Sequence, residues 1–82
     1  NPFNPVTTIT YDLMDDGFVS LAVYNMIGQE VASLVNTDMK AGVHSIQWNG
    51  TGLSGNVVSS GVYFYILNTY EFTSVKKMVF MK

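Results

Sequence analysis

Hydrophobic and polar residues alternate along most of this chain, a pattern typical of β-strands that bury one face. From Ile9 to Leu13 every second residue is large and apolar, and the residues between them are polar. Similar runs predict strands over the segments 6–13, 18–24, 29–35, 43–48, 61–67 and 72–81. With turn signals spaced about every ten residues, they predict an all-β fold, an Ig-like antiparallel β-sandwich of about seven strands.

The alternation also predicts which side chains share a face. Three residues of the second segment are expected on one face, as are three of the fourth, with Val31 pointing inward: Val19, Leu21 and Val23, then His44, Ile46 and Trp48. Segment 61–67 is apolar on both faces. Its two tyrosines lie opposite three other apolar residues: Tyr63 and Tyr65 on one face, Val62, Phe64 and Ile66 on the other. One of these faces must be solvated or covered by another chain.

Polar, glycine-containing segments separate the strands. Residues 15–17 and 25–28 predict tight turns, the second with Gly28 at a positive φ. The remaining connections are predicted as loops or turns over 36–42, 49–60 and 68–71. Residues 1–82 are therefore expected to form a single domain, in which the proline-containing residues 1–5 are an extended N-terminal segment.

Composition narrows the function. The 82 residues suit one domain, and the absence of a first methionine is expected of a fragment or a processed product. There is no cysteine, so disulfides and thiol sites are excluded. Only 12% of residues are charged, against about 25% in ordinary domains, and the many Ser, Thr and Asn residues suit an extracellular module. A net charge of −2 argues against nucleic-acid binding, and no apolar run approaches the roughly 20 residues of a membrane span.

Candidate chemical groups are few. His44 is the only histidine and lacks the partners of a catalytic triad, so it is interpreted as a histidine on a sheet face. Asp12, Asp15 and Asp16 could supply some of the six to eight oxygens that calcium needs, although a solvated turn is favoured. No enzyme activity and no cofactor are predicted.

Two further patterns have a binding interpretation and a structural one. Trp48, Tyr63 and Tyr65 could form a sugar-stacking platform, but a core tryptophan is favoured because Trp48 shares a face with Ile46. Residues 49–51 match an N-glycosylation sequon, and a plain turn is favoured there.

The last strand breaks the alternation, since residues 78–81 are apolar on both faces. Such a strand must be covered on both sides or offered to a partner, and its lysines would discourage unwanted edge pairing. A covered central strand and a recognition strand both remain open.

Five motifs follow one another in a recognisable order: 1–5 with 8–11, 23–31, 41–44 with 48–50, 59–65, and 76–79. Together they resemble the C-terminal sorting domain (type A) of type IX secretion, whose Ig-like fold is similar to one in the flagellar hook-capping protein. Gln29 departs from this resemblance, because a basic residue is common at its position.

The resemblance implies a non-catalytic sorting module that directs export and cell-surface attachment of a secreted protein. The implied partners are the outer-membrane secretion and sortase machinery, reached through the periplasm. Partner recognition is expected at residues of both ends: Lys76, Lys77, Met78, Val79, Phe80 and Lys82, together with Pro2, Phe3 and Pro5.

Two alternatives stand beside the sorting module. One is a structural subunit of an extracellular filament or surface layer, in which neighbouring copies pack head to tail through their terminal segments. The other is a carbohydrate-binding accessory module that uses the aromatic residues to hold a glycan.

Overall fold

The structure is a computed structural model that describes residues 6–81, and six strands form in this part of the chain. They are β1 (Thr7–Leu13), β2 (Gly17–Asn25), β3 (Glu30–Met39), β4 (Gly42–Trp48), β5 (Gly61–Asn68) and β6 (Thr73–Phe80). β1 and β4 make a two-stranded sheet, and the other four make a sheet in the order β3-β2-β5-β6. Every strand pairing is antiparallel, and residues 6–81 contain no helix. The predicted all-β antiparallel fold is confirmed.

The core lies between the two sheets, at the positions that the alternation marks. Val19, Leu21 and Val23 of β2 are the largest fully buried side chains, as the sequence predicts. One buried cluster joins β1 to the larger sheet: Ile9, Tyr11, Leu13, Val19, Leu21 and Leu67. A second joins β4 to it: Val23, Ala32, Trp48, Tyr63, Met78 and Phe80. Each large apolar side chain removed from water in this way contributes roughly 1.5–3 kcal/mol.

The described chain has one strand fewer than the expected seven. Between β4 and β5, where the long loop 49–60 was predicted, the only pairing is an isolated bridge from Thr51 to Val57. This stretch contains three glycines and no alternating apolar run, so it offers no face that a further strand could bury.

β3 is longer than the sequence pattern predicts, and the predicted loop over 36–42 is wrong. Residues 36–39 continue the strand by pairing with residues 17–20 of β2. The polar side chains of residues 36–38 are tolerated because β3 is an edge strand and leaves them exposed to water, whereas Met39 packs against the first cluster. Register shifts in the β2–β3 pairing also change which side chain faces the core. Ala32 is buried there, and Val31 is only half-buried against the second cluster.

The turn after β5 is hydrogen-bonded to the loop between β1 and β2. The hydroxyl oxygen of Thr69 accepts hydrogen bonds from the N–H groups of Glu71 and Phe72, both at 3.0 Å. The Glu71 carboxylate in turn accepts hydrogen bonds from the N–H groups of Met14 and Asp15 at 3.3 and 3.1 Å. The loop between β1 and β2 is therefore held to the β5–β6 turn.

Candidate interaction surface

β6 is an edge strand that pairs with β5 alone. Its outer edge presents backbone groups that no other described strand pairs, which is the usual template for binding an additional strand. Its side chains alternate: Met78 is 8% exposed and Phe80 3%, whereas Val79 between them is 62% exposed. The apolar end of the strand is thus covered on one side and open on the other, so neither sequence-based alternative describes it fully.

The residues predicted to recognise a partner fall into three groups. Lys76, Lys77 and Val79 are exposed, and Met78 and Phe80 belong to the second core cluster. Pro2, Phe3, Pro5 and Lys82 lie outside the residues that the structure describes. The two buried members support the fold of β6, so any contact by the described strand uses its exposed side chains or its open edge.

An aromatic cluster anchors the end of β6. The Trp48 ring lies 5.5 Å from that of Phe80 and 5.6 Å from that of Tyr63, measured between centroids. The indole Nε1 of Trp48 donates to the carbonyl of Thr51 at 3.1 Å, and the Tyr63 hydroxyl donates to the carbonyl of Ser59 at 2.7 Å. The polar atoms of both rings are therefore satisfied inside the fold.

The same cluster corrects the sugar-platform interpretation. Trp48 and Tyr63 are core residues, and Tyr65 is half-buried against both clusters. A stacking platform requires ring faces that are open to solvent, whereas these rings pack against the core. The preference for a core tryptophan is confirmed.

Behind the core-facing tyrosines, the larger sheet has a second side that no described element covers. We call this side the outer face. It is formed by alternate residues of the four strands: Glu30, Ser33 and Asn36 of β3; Ser20, Ala22 and Tyr24 of β2; Val62, Phe64, Ile66 and Asn68 of β5; and Thr73, Val75, Lys77 and Val79 of β6. The centre is apolar, and charged side chains stand at its two sides. The apolar second side of β5 was visible in the sequence, but the contributions of Glu30 and Tyr24 depend on strand order and register.

One row crosses the outer face from side to side. Glu30 pairs with Tyr24, Tyr24 with Phe64, and Phe64 with Lys77. Residues directly opposite in antiparallel strands project from the same side of the sheet. The row therefore places an acidic residue, two rings and a basic residue in line.

The β2–β3 hairpin extends this surface. The Asn25 side-chain oxygen accepts hydrogen bonds from the N–H groups of Ile27 and Gln29 at 3.1 and 2.9 Å, and Gly28 has φ 85°, the positive value that the sequence predicts. This turn fixes Met26 and Ile27 at the tip, where they are 70% and 79% exposed. Together with Val62 they help to line a groove of about 310 Å³.

His44 and the aspartates form no chemical centre. His44 shares a hydrogen bond of 2.6 Å with the carbonyl of Lys40, and its ring lies 5.4 Å from that of Tyr11. Asp16 accepts a hydrogen bond from the N–H of Ala41 at 2.7 Å and pairs with Lys40 at 3.6 Å. Among residues 6–81 no group of three potential ligands is placed to hold a metal ion.

The predicted sequon is a turn. The Asn49 side-chain oxygen accepts hydrogen bonds from both the N–H and the hydroxyl of Thr51, at 3.2 and 2.7 Å. Gly50 has φ 85°, and a Cβ on it would overlap the Phe80 ring. The turn is thus a packing element against β6.

Residues 6–81 contain no helix with the length and hydropathy that crossing a membrane requires.

The family comparison and the structural comparison agree with each other. The FlgD Ig-like domain model matches residues 6–70. The crystal structure of FlgD from P. aeruginosa superposes with a TM-score of 0.69 at 22% identity, covering 94% of this chain and 61% of that one. FlgD from Xanthomonas campestris, described in connection with the hook capping essential for flagellar assembly, gives 0.67 at 22% identity, covering 92% of this chain and 55% of that one. A search of curated proteins gave no significant match.

These comparisons support the Ig-like fold and correct the function expected from the sequence. The part of the resemblance that concerns the flagellar hook-capping protein is supported, and no comparison supports the type IX sorting domain. The predicted sorting and surface-anchoring function is therefore wrong, as is the alternative of an extracellular filament or surface-layer subunit. Two of the motifs have a structural role in the Ig-like fold: residues 25–29 build the hairpin and residues 48–50 the turn against Phe80.

Proposed function

Because this chain belongs to the FlgD Ig-like domain family, we propose that it is a non-catalytic structural module of a hook-capping scaffold in flagellar assembly. The observation that carries the proposal is the family match over residues 6–70, most of the described chain. The chain spans 61% and 55% of the two FlgD structures, so the proposal concerns the Ig-like module alone.

The distribution of polar groups supports a structural role. Several side-chain hydrogen bonds close turns, as at Asn25, Asn49 and Thr69. Most of the large exposed apolar residues lie on loops or on the outer face, which suits contact with neighbouring proteins in an assembly. In this role the module acts outside the cytoplasm, where the hook is built, and its partners are other components of the hook and its cap.

The proposal is tested by deleting residues 6–81 from the full-length gene in its source bacterium. We expect hooks to be absent or irregular in electron micrographs, and re-expression of the intact gene to restore them. Export of the shortened protein is followed by immunoblotting of the medium and of cell fractions. Hooks of normal number and length in the deletion strain would contradict the proposal.

A further inference from the structure

We propose that the outer face of the larger sheet is the contact surface for a second copy of the same domain, in a two-fold symmetric pair. The inference concerns a contact between copies in solution. It therefore stands or falls separately from the role in hook capping.

The centre of the outer face has the composition of a contact surface. Tyr24, Phe64 and Ile66 are half-buried, and Val75 and Val79 at the β6 side are exposed. No described element lies over them, because the core and the two-stranded sheet are on the other side. A sheet with two apolar faces lowers its free energy when the second face is also removed from water.

The charged residues at the two sides of this face indicate that its partner is a second copy of the domain. Glu30 stands at the β3 side and Lys77 at the β6 side of one cross-strand row. Three strand spacings separate them, about 14 Å, which is too far for an ion pair within one molecule. Neither side chain makes an ion pair among residues 6–81.

Two-fold symmetry brings these charges together. An axis that lies between two stacked faces and runs parallel to the strands exchanges the β3 side for the β6 side and keeps each row at its own height. Glu30 of one copy then lies over Lys77 of the other, twice, and the rings of Tyr24 and Phe64 meet at the centre. Such an interface is self-complementary, and aligned packing of two sheets at about 30° is a common arrangement.

The size of the face predicts the strength of the pair. From the row of Val62 to the row of Asn68 the face is roughly 20 Å long, and it is about 14 Å wide between the outer strands. The face therefore covers roughly 280 Å² per copy, about a third of the ~800 Å² per partner found in stable complexes. A weak dimer that depends on concentration and salt is expected.

Charge reversal provides the test, by sedimentation velocity over a concentration series from micromolar to millimolar. The wild-type domain should dimerise as its concentration rises. Glu30→Lys and Lys77→Glu should each weaken association at least tenfold, because like charges then face each other. An equimolar mixture of the two single variants should associate as hetero-pairs. In such a pair one copy carries a lysine at both positions and the other a glutamate at both, so opposite charges face each other at both contacts.

Lys76→Glu is the matched control. It makes the same charge change on the adjacent residue, whose neighbour on β5 is Tyr65 on the core side of the sheet, and it should leave association within twofold of wild type. Far-UV circular dichroism and thermal unfolding establish that each variant is folded. A wild-type domain that stays monomeric at millimolar concentration, single variants that dimerise like wild type, or a mixture that forms no hetero-pairs would each overturn the proposal.

Discussion

Gly50 and Phe80 meet where the turn after β4 closes over the end of β6, and the contact explains why a glycine stands there. The backbone at Gly50 has φ 85°, a conformation that disfavours side chains, and a Cβ would also overlap the aromatic ring. The Asn49–Gly50 sequence is thus a requirement of packing against the last strand.

Gly50→Ala should destabilise the domain by about 2–4 kcal/mol, because left-handed strain and overlap with the ring add. Gly55→Ala is its control, since Gly55 has φ 86° with no atom near the added Cβ, and it should cost only about 1 kcal/mol. Urea unfolding of both variants measures the difference. Equal losses would show that the Phe80 contact has no energetic role.

Asp16 should contribute to stability above acid pH. The hydrogen bond from the Ala41 N–H and, more weakly, Lys40 hold the pKa of this carboxyl below its ordinary value of 3.8. A lowered folded-state pKa stabilises the fold above the unfolded pKa, and the contribution is lost as pH falls through the folded value. Asp16→Asn should therefore flatten the decline of unfolding temperature below about pH 4. If the unfolding temperature of the variant fell as steeply below about pH 4 as that of the wild type, this account would be contradicted.

At the scale of elements, the alternation of apolar and polar residues predicts most of the observed strands and their buried faces. It places the inward faces of β1, β2 and β4 correctly, and the glycine signal places the hairpin after Asn25. It misses the end of β3, because residues 36–39 are held by pairing with β2 and no apolar pattern marks them. Alternation also does not determine strand order, so it cannot distinguish a central strand from a recognition strand at β6.

Alanine substitutions at two adjacent β6 residues test whether the strand is buried on one side only. Phe80→Ala should destabilise the domain by about 3–5 kcal/mol, since it empties a buried aromatic position. Val79→Ala, one residue away on the exposed side, should stay within about 0.5 kcal/mol. Thermal unfolding of the two variants checks this. Similar losses at both positions would mean that β6 is covered on both sides.

The whole molecule is an unequal sandwich, in which two strands cover one side of four. This asymmetry leaves the outer face and the β6 edge open, and it gives a domain without a chemical centre among residues 6–81 two surfaces for contact. The sequence motifs identified an Ig-like module, but motifs that encode turns and core contacts cannot tell which assembly the module serves. The family match shows that the chain is a FlgD Ig-like domain, and its role in hook capping is our proposal from that match.

The central claim is that this module works in hook capping, and its location in the cell tests it most directly. The full-length protein, tagged beside the Ig-like domain, is localised by immunogold electron microscopy on cells with growing hooks. The account predicts label at the distal ends of the hooks. Label spread over the cell surface, with hook ends bare, would contradict it.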